Sequence, residues 1–354
     1  MDNFKIKYFL AANSCEGFIS NFSDCCSAEE NYKVYIIKGG PGTGKSSFMR
    51  HIANKGLEKN LKVVVCPCSS DPNSLDAVIF PDKKIVIMDG TAPHTVDPKF
   101  PGICEEILNF GEFWDSDKLK IHQNEIINVT NKNKQKHKTA SRYFRAAGYL
   151  FTDNLNCALD ITDEKKVISF ANKFIKKHIP NKIGASKEDI RYYGGLTPKG
   201  IISFCNCVLN ETDNNFIISD DYGAVSKIFF SYLREKLLKS GYNIITVKNP
   251  FLPSTLIDGI IIPELSLSVL REYEFGQFYT GIRRIHAKRF LKSANLKTHI
   301  NFNRKAIREL LTAGCDNLKE AKEIHDRLEK YYIDAMNFDA LKSFTEDFAK
   351  KLFN

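Results

Sequence analysis

Residues 34–53 read VYIIKGGPGTGKSSFMRHIA. Val34, Tyr35, Ile36 and Ile37 form a short apolar run with the composition of a buried strand, and Phe48, Met49, Ile52 and Ala53 then recur on one side of a helix. Between them stands Gly39-x4-Gly44-Lys45-Ser46, the Walker A pattern in the strand-loop-helix context that it requires. Glycines let the backbone wrap closely around phosphate oxygens, while the N–H groups of the loop and of the first helical turn form a concave array of donors. The expected polyphosphate cradle is therefore Gly39, Gly40, Pro41, Gly42, Thr43, Gly44, Lys45, Ser46 and Ser47. Lys45 is placed to reach the β- and γ-phosphates of a nucleoside triphosphate, and the Ser46 hydroxyl to ligate Mg2+.

Downstream, Val63 to Cys66, Leu75 to Phe80 and Ile85 to Met88 are apolar runs lying beyond the predicted helix. Such runs are expected of a mainly parallel sheet buried on both faces, so the fold class is α/β. Asp89 ends the last run and is the expected Walker B carboxylate, a catalytic residue that holds Mg2+ through water. Gly90 follows it, so the glutamate that activates water in many motor-type ATPases is missing. His94, Asp97 and Glu105 are then the candidates for a general base or a water-orienting group near the carboxyl edge of the sheet, against plain loop and capping roles. Residues 131–134 read NKNK and lack the Asp of the guanine-reading motif, which favours ATP over GTP.

The chain also resembles itself at an offset of about 182 residues. Gly17-Phe18-Ile19-Ser20 returns as Gly200-Ile201-Ile202-Ser203, and LDAVIFPD from residue 75 as IDGIIIPE from residue 257. Between these, IIKGGPGTGKSSF at 36–48 aligns with IISDDYGAVSKIF at 217–229. Taken without gaps, this sets Asp220 and Asp221 opposite Gly39 and Gly40, and Val225, Ser226 and Lys227 opposite Gly44, Lys45 and Ser46. Two carboxylates aimed at the phosphate seat repel polyphosphate, so the second loop is expected not to bind a triphosphate, with the displaced Lys227 the one group that offers a rescue.

A length of 354 residues and this repeat together predict two tandem units, residues 1–183 with the intact loop and 184–354 with the decayed one. Each sheet is followed by helical stripes: 143, 146, 147, 150 and 151, then a helix capped by Asp163; and later Ile307, Leu311, Leu318, Leu328, then Leu341, Phe344, Phe348 and Leu352. Each unit is thus expected to append a helical hairpin to its sheet. No leader pattern and no long apolar segment is legible, which points to a cytoplasmic chain without a membrane partner. The ten cysteines then read as reduced thiols.

The net charge of +9 suits an anionic partner, and Lys132, Lys134, Lys136, Lys138, Arg142 and Arg145 make a basic helix open to nucleic acid or to simple solvation. Arg283 and Arg284 are a candidate arginine finger for the first unit's γ-phosphate. A protein partner or a second copy of the chain is also open.

The combination of GGPGTGKSS, CPCSSDPNSLDAVIFPD, IVIMDGTAPHTVDPKFPG and a decayed second loop resembles the P-loop NTPases, and in particular an uncharacterised bacterial family of tandem P-loop ATP-binding proteins, over essentially the whole chain. The resemblance implies ATP and Mg2+ in the first half, and Lys45, Ser46, Asp76, Asp89, His94 and Asp97 as the functional set. Three readings follow: an ATPase acting as a switch or regulator, a small-molecule kinase, and a nucleic-acid-dependent ATPase.

Overall fold

The computed structural model describes residues 4–22, 30–92, 95–276, 279, 282–292 and 297–353. The first half runs β1 (Ile6–Lys7), β2 (Ala11–Ser14), β3 (Gly17–Ser20), β4 (Lys33–Lys38), α1 (Lys45–Glu58), β5 (Val64–Pro67), β6 (Leu75–Phe80), β7 (Ile85–Asp89), β8 (Glu105–Asn109), α2 (Ser116–Ile121), α3 (Gln123–Asp160) and α4 (Glu164–His178). The second runs β9 (Glu188–Arg191), β10 (Gly194–Thr197), β11 (Gly200–Ser203), α5 (Asn206–Leu209), β12 (Asn214–Ser219), α6 (Ala224–Lys239), β13 (Ile244–Lys248), β14 (Ile257–Ile262), β15 (Leu267–Glu272), β16 (Arg283–His286), α7 (Lys297–Ala335) and α8 (Phe338–Phe353).

The two six-stranded sheets have the same order, β1-β5-β6-β7-β4-β8 and β9-β13-β14-β15-β12-β16. In each, the second strand after the loop's helix, β6 or β14, is antiparallel to its neighbours, and the other pairings are parallel. A four-residue connection through Lys84, at φ 54°, is enough to turn β6 into β7, because antiparallel neighbours need no crossover helix.

Alternation along the strands divides each sheet into two faces. Val34, Ile36, Val64, Cys66, Ile79 and Met88 of the first sheet share a core with Ile217, Ile245, Val247, Ile261 and Leu270 of the second. The sheets therefore cover much of each other's inner faces, with Val208 of the short helix α5 joining that core, and the longer helices cover their outer faces. The intervening positions Tyr35, Ile37, Val65, Val78 and Ile87 pack under α1 and, with it, Leu341, Phe348 and Ala349 of α8. Phe216, Ile218, Ile260 and Val269 pack under α6 together with Val167, Ala171 and Phe174 of α4.

The arms are exchanged: α4 of the first half covers the second sheet, and α8 of the second half covers the first. The long helices α3 and α7 make this possible by crossing antiparallel, with Asn133 donating to the Ala321 carbonyl near one end and Asn303 to Asn154 near the other. The hairpins β2-β3 and β10-β11 join the same way, forming a four-stranded sheet through β2 and β10. Asp163 caps α4 through the Lys166 N–H, so the helix start read in the sequence is the one used.

Phe348 stacks edge-on against Tyr35 at 4.9 Å and packs on Phe48 at 5.3 Å, both in the other half. Phe348→Ala is expected to cost about 3–5 kcal/mol of stability, read by urea unfolding, and to lose protection from hydrogen exchange in the first half's strands as well as in α8.

Candidate functional site

The loop between β4 and α1 has the geometry that its glycines predict. Gly42 and Gly44 sit at φ 68° and 82°, in the left-handed region that disfavours side chains. A Cβ at Gly39 would stand 2.9 Å from Thr43 Oγ1, and Thr43 in turn donates to the Gly40 carbonyl at 2.8 Å, closing the loop on itself. Pro41 lies on the loop's half-buried outer side, while Ser47 is exposed on the first turn of α1. Lys45 folds along the inner edge, donating to the Gly40 carbonyl at 2.7 Å and lying 3.6 Å from Asp89. The Ser46 hydroxyl accepts from the Leu75 N–H at 2.9 Å.

Asp89 ends β7, which pairs directly with β4 so that Ile37 and Asp89 are neighbours two residues before Gly39. Its carboxylate accepts from the Thr91 N–H at 2.9 Å and the Thr91 hydroxyl at 2.6 Å. Asp76 arrives from the other side: because β6 is antiparallel, its second residue lies at the same sheet edge, one step from the Ala77–Met88 pair. Burial, followed by the Asp89 charge beside it, pushes the Asp76 carboxyl up to about 8; a hydrogen bond from Cys68 and the Lys45 ammonium pull the other way. One lysine, one hydroxyl and two carboxylates thus converge on the loop. An oxygen-lined site of this kind suits Mg2+ completed by phosphate oxygens and water.

The other described candidates make different contacts. The Asp97 side chain is 78% exposed and accepts from Lys38 at 2.8 Å, while Lys38 also donates to the Gly90 and Val96 carbonyls. Asp97 thus helps pin the loop after β7. Glu105 pairs with Val34 at the start of β8, so it sits at the amino edge of the sheet rather than the carboxyl edge, and it accepts from the Phe100 N–H at 2.7 Å in a turn. His94 lies outside the described residues. Arg284 is held by Glu272 at 2.7 Å and by the Tyr279 carbonyl within its own half, and Arg283 lies over Phe216 of the second sheet.

The equivalent place in the second half corrects the ungapped alignment. There α6 begins at Ala224 after Gly223, whose φ of 83° matches that of Gly44. The structural counterparts of Gly44, Lys45 and Ser46 are therefore Gly223, Ala224 and Val225, and the loop between strand and helix is shorter, Asp220 to Gly223 in place of Gly39 to Gly44. Lys227 is the fourth residue of the helix, three positions beyond the counterpart of Lys45. The Asp220 carboxylate itself takes the seat at the helix N-terminus, accepting from the Gly223 N–H at 3.0 Å and the Ser226 N–H at 2.8 Å. Arg271, which replaces Asp89, donates to the Asp220 carbonyl at 2.8 Å and pairs at 3.2 Å with Asp258, the counterpart of Asp76. Tyr273 and Asn249 satisfy the rest of that carboxylate.

One feature has no signal in the local sequence: the first loop is roofed by the second half. A Cβ at Gly40 would stand 2.5 Å from the Tyr332 ring, one at Gly42 would stand 2.8 Å from the Glu329 carbonyl oxygen, and one at Gly44 would stand 2.8 Å from Leu341. Only glycine fits under α7 and the start of α8.

Asp76→Asn gives a pH test of this cluster. A carboxyl raised to about 8 in the fold binds its proton more tightly than in the unfolded chain, so its burial costs stability that grows as pH rises from about 4 to 8. The variant's gain in Tm over the nucleotide-free protein is expected to be larger at pH 8 than at pH 5; an equal gain would contradict the raised value.

The model of a family described as Novel STAND NTPase 3 matches residues 19–92, which span β4, the glycine loop, α1 and the strands bearing Asp76 and Asp89. No curated protein and no solved structure matches the chain. Among the described residues no helix is long and apolar enough to cross a membrane. On the matched segment and the loop geometry, the N-terminal half is P-loop NTPase-like.

Proposed function

We propose that this chain is a Mg2+-dependent ATPase with one nucleotide site, in its N-terminal half, and that hydrolysis there shifts the helical arm of the other half. The observation that carries the reading is the contact between Gly40, Gly42 and Gly44 and the helices α7 and α8, because a loop that must hold polyphosphate is packed against elements it can push. Lys45 would neutralise the β- and γ-phosphate oxygens, Ser46 and Asp89 would hold Mg2+, and Asp76 would sit beside them. Bound Mg2+ supplies charge neutralisation of the terminal phosphates. Restriction to one site is supported by Asp220, whose carboxylate fills the second helix N-terminus as a phosphate would.

Calorimetry with Mg2+ and a non-hydrolysable ATP analogue is expected to give one site per chain. Lys45→Ala should weaken it at least 100-fold, and Asp220→Ala should leave the stoichiometry at one. Two sites in the wild type would overturn the assignment.

A nucleic-acid-dependent ATPase is the second reading, favoured by Lys132, Lys134, Lys138, Arg142 and Arg145 of α3, which stay exposed while Lys136 pairs with Glu320. DNA or RNA should then stimulate turnover with a steep loss as salt rises, and unchanged turnover at low salt would remove it.

A further inference from the structure

The strand order gives the glycine loop two unlike sides. β4 lies between β7, which brings Asp89 and beyond it Asp76, and β8, whose chain continues into residues 110–116. A nucleoside triphosphate lying across the loop has a metal-binding polyphosphate end and a flat, uncharged base end. With the carboxylates on the β7 side, the base end is left to the β8 side.

That side is aromatic. Trp114, the chain's single tryptophan, follows β8 and meets the Tyr332 ring of α7 at 5.8 Å in an edge-on arrangement. Tyr332 in turn rests on Gly40, close enough that a Cβ there would stand 2.5 Å from its ring. Both rings are partly open to solvent, and Phe338, 42% exposed, stands by Gly44. The backbone holds them in register: Asp115 N–H donates to the Ala335 carbonyl at 2.9 Å, Asn337 N–H to the Phe113 carbonyl at 2.7 Å, and Trp114 bridges to Met336. Two partly exposed aromatic rings, fixed from two directions at the edge of the glycine loop, offer a surface on which a nucleobase can stack, since every base presents a π-face.

We propose that Trp114 and Tyr332 form the nucleobase subsite of the N-terminal half, a composite shelf to which each half of the chain contributes one ring. This rests on the proposed nucleotide site at Gly39–Ser47 and extends it, because it makes the second half part of the ligand's binding surface. Occupancy of the shelf then reports directly on the α7–α8 corner.

The test uses the full-length chain with two probes, Mg-ATP and Mg-tripolyphosphate, the second carrying the phosphates without a base. ATP is expected to change the emission of Trp114, and tripolyphosphate to leave it unchanged while still binding by calorimetry. Tyr332→Ala should weaken ATP about tenfold or more and tripolyphosphate less than twofold, and Tyr332→Phe should restore ATP, as stacking without a hydroxyl predicts. Trp114→Ala, with a melting curve matching the wild type, serves as the second variant and should likewise weaken ATP while sparing tripolyphosphate. Equal losses for both probes would mark Tyr332 as a structural prop for Gly40 and overturn the shelf, as would unaltered ATP affinity in both Tyr332→Ala and Trp114→Ala. If wild-type protein binds neither probe, the phosphate cradle fails first and the shelf with it.

Discussion

Each six-stranded sheet has two apolar faces, and neither half of the chain covers both of its own. The inner faces meet each other, and each outer face takes part of its cover from the opposite half, through α4 on α6 and α8 on α1. The antiparallel crossing of α3 and α7 carries the chain across to make that exchange. Removing either arm would open a core belonging to the other half, so the halves are bound into one cooperative body by burial of apolar surface rather than by a linker.

This arrangement also gives the second half a place at the first half's loop. The decayed half roofs the intact one with Glu329, Tyr332 and Leu341 set over Gly42, Gly40 and Gly44. The electrostatics of the two sites are inverted counterparts. In the first, a cation stands at the start of the helix and carboxylates end or begin the neighbouring strands, an arrangement open to an anion carrying a divalent metal. In the second, the cation has moved to the strand as Arg271 and a carboxylate has moved into the loop as Asp220, so Arg271 pairs with Asp258 while Asp220 caps the helix. A buried ion pair of this kind adds little net stability, because desolvating both charges offsets much of their attraction.

The antiparallel strand β6 has a chemical consequence. In a wholly parallel sheet, the second residue of that strand would lie at the amino edge, far from the loop. Reversal brings Asp76 to the carboxyl edge beside Asp89, where burial and like charge raise its carboxyl. The hairpin that reverses β6 into β7 thus supplies one of the two carboxylates nearest Lys45.

The sequence by itself determined what depends on local stereochemistry. Glycines at 39, 40, 42 and 44, with Lys45 and Ser46 between an apolar strand and an amphipathic helix, fix the loop, because backbone conformation and helix periodicity are set by residues a few positions apart. The repeat and the Asp163 cap were legible for the same reason. Whatever depends on distant contacts was decided only in the tertiary structure. Matching letters without gaps placed Val225 opposite Gly44, whereas the helix start and the left-handed Gly223 show a loop two residues shorter; only the folded backbone registers a deletion that the letters conceal. Glu105 was misplaced because an edge of a sheet is defined by pairing, not by order along the chain. The exchange of arms and the Tyr332 roof have no local signature at all, since an apolar stripe specifies that a face is to be buried but not which sheet will bury it.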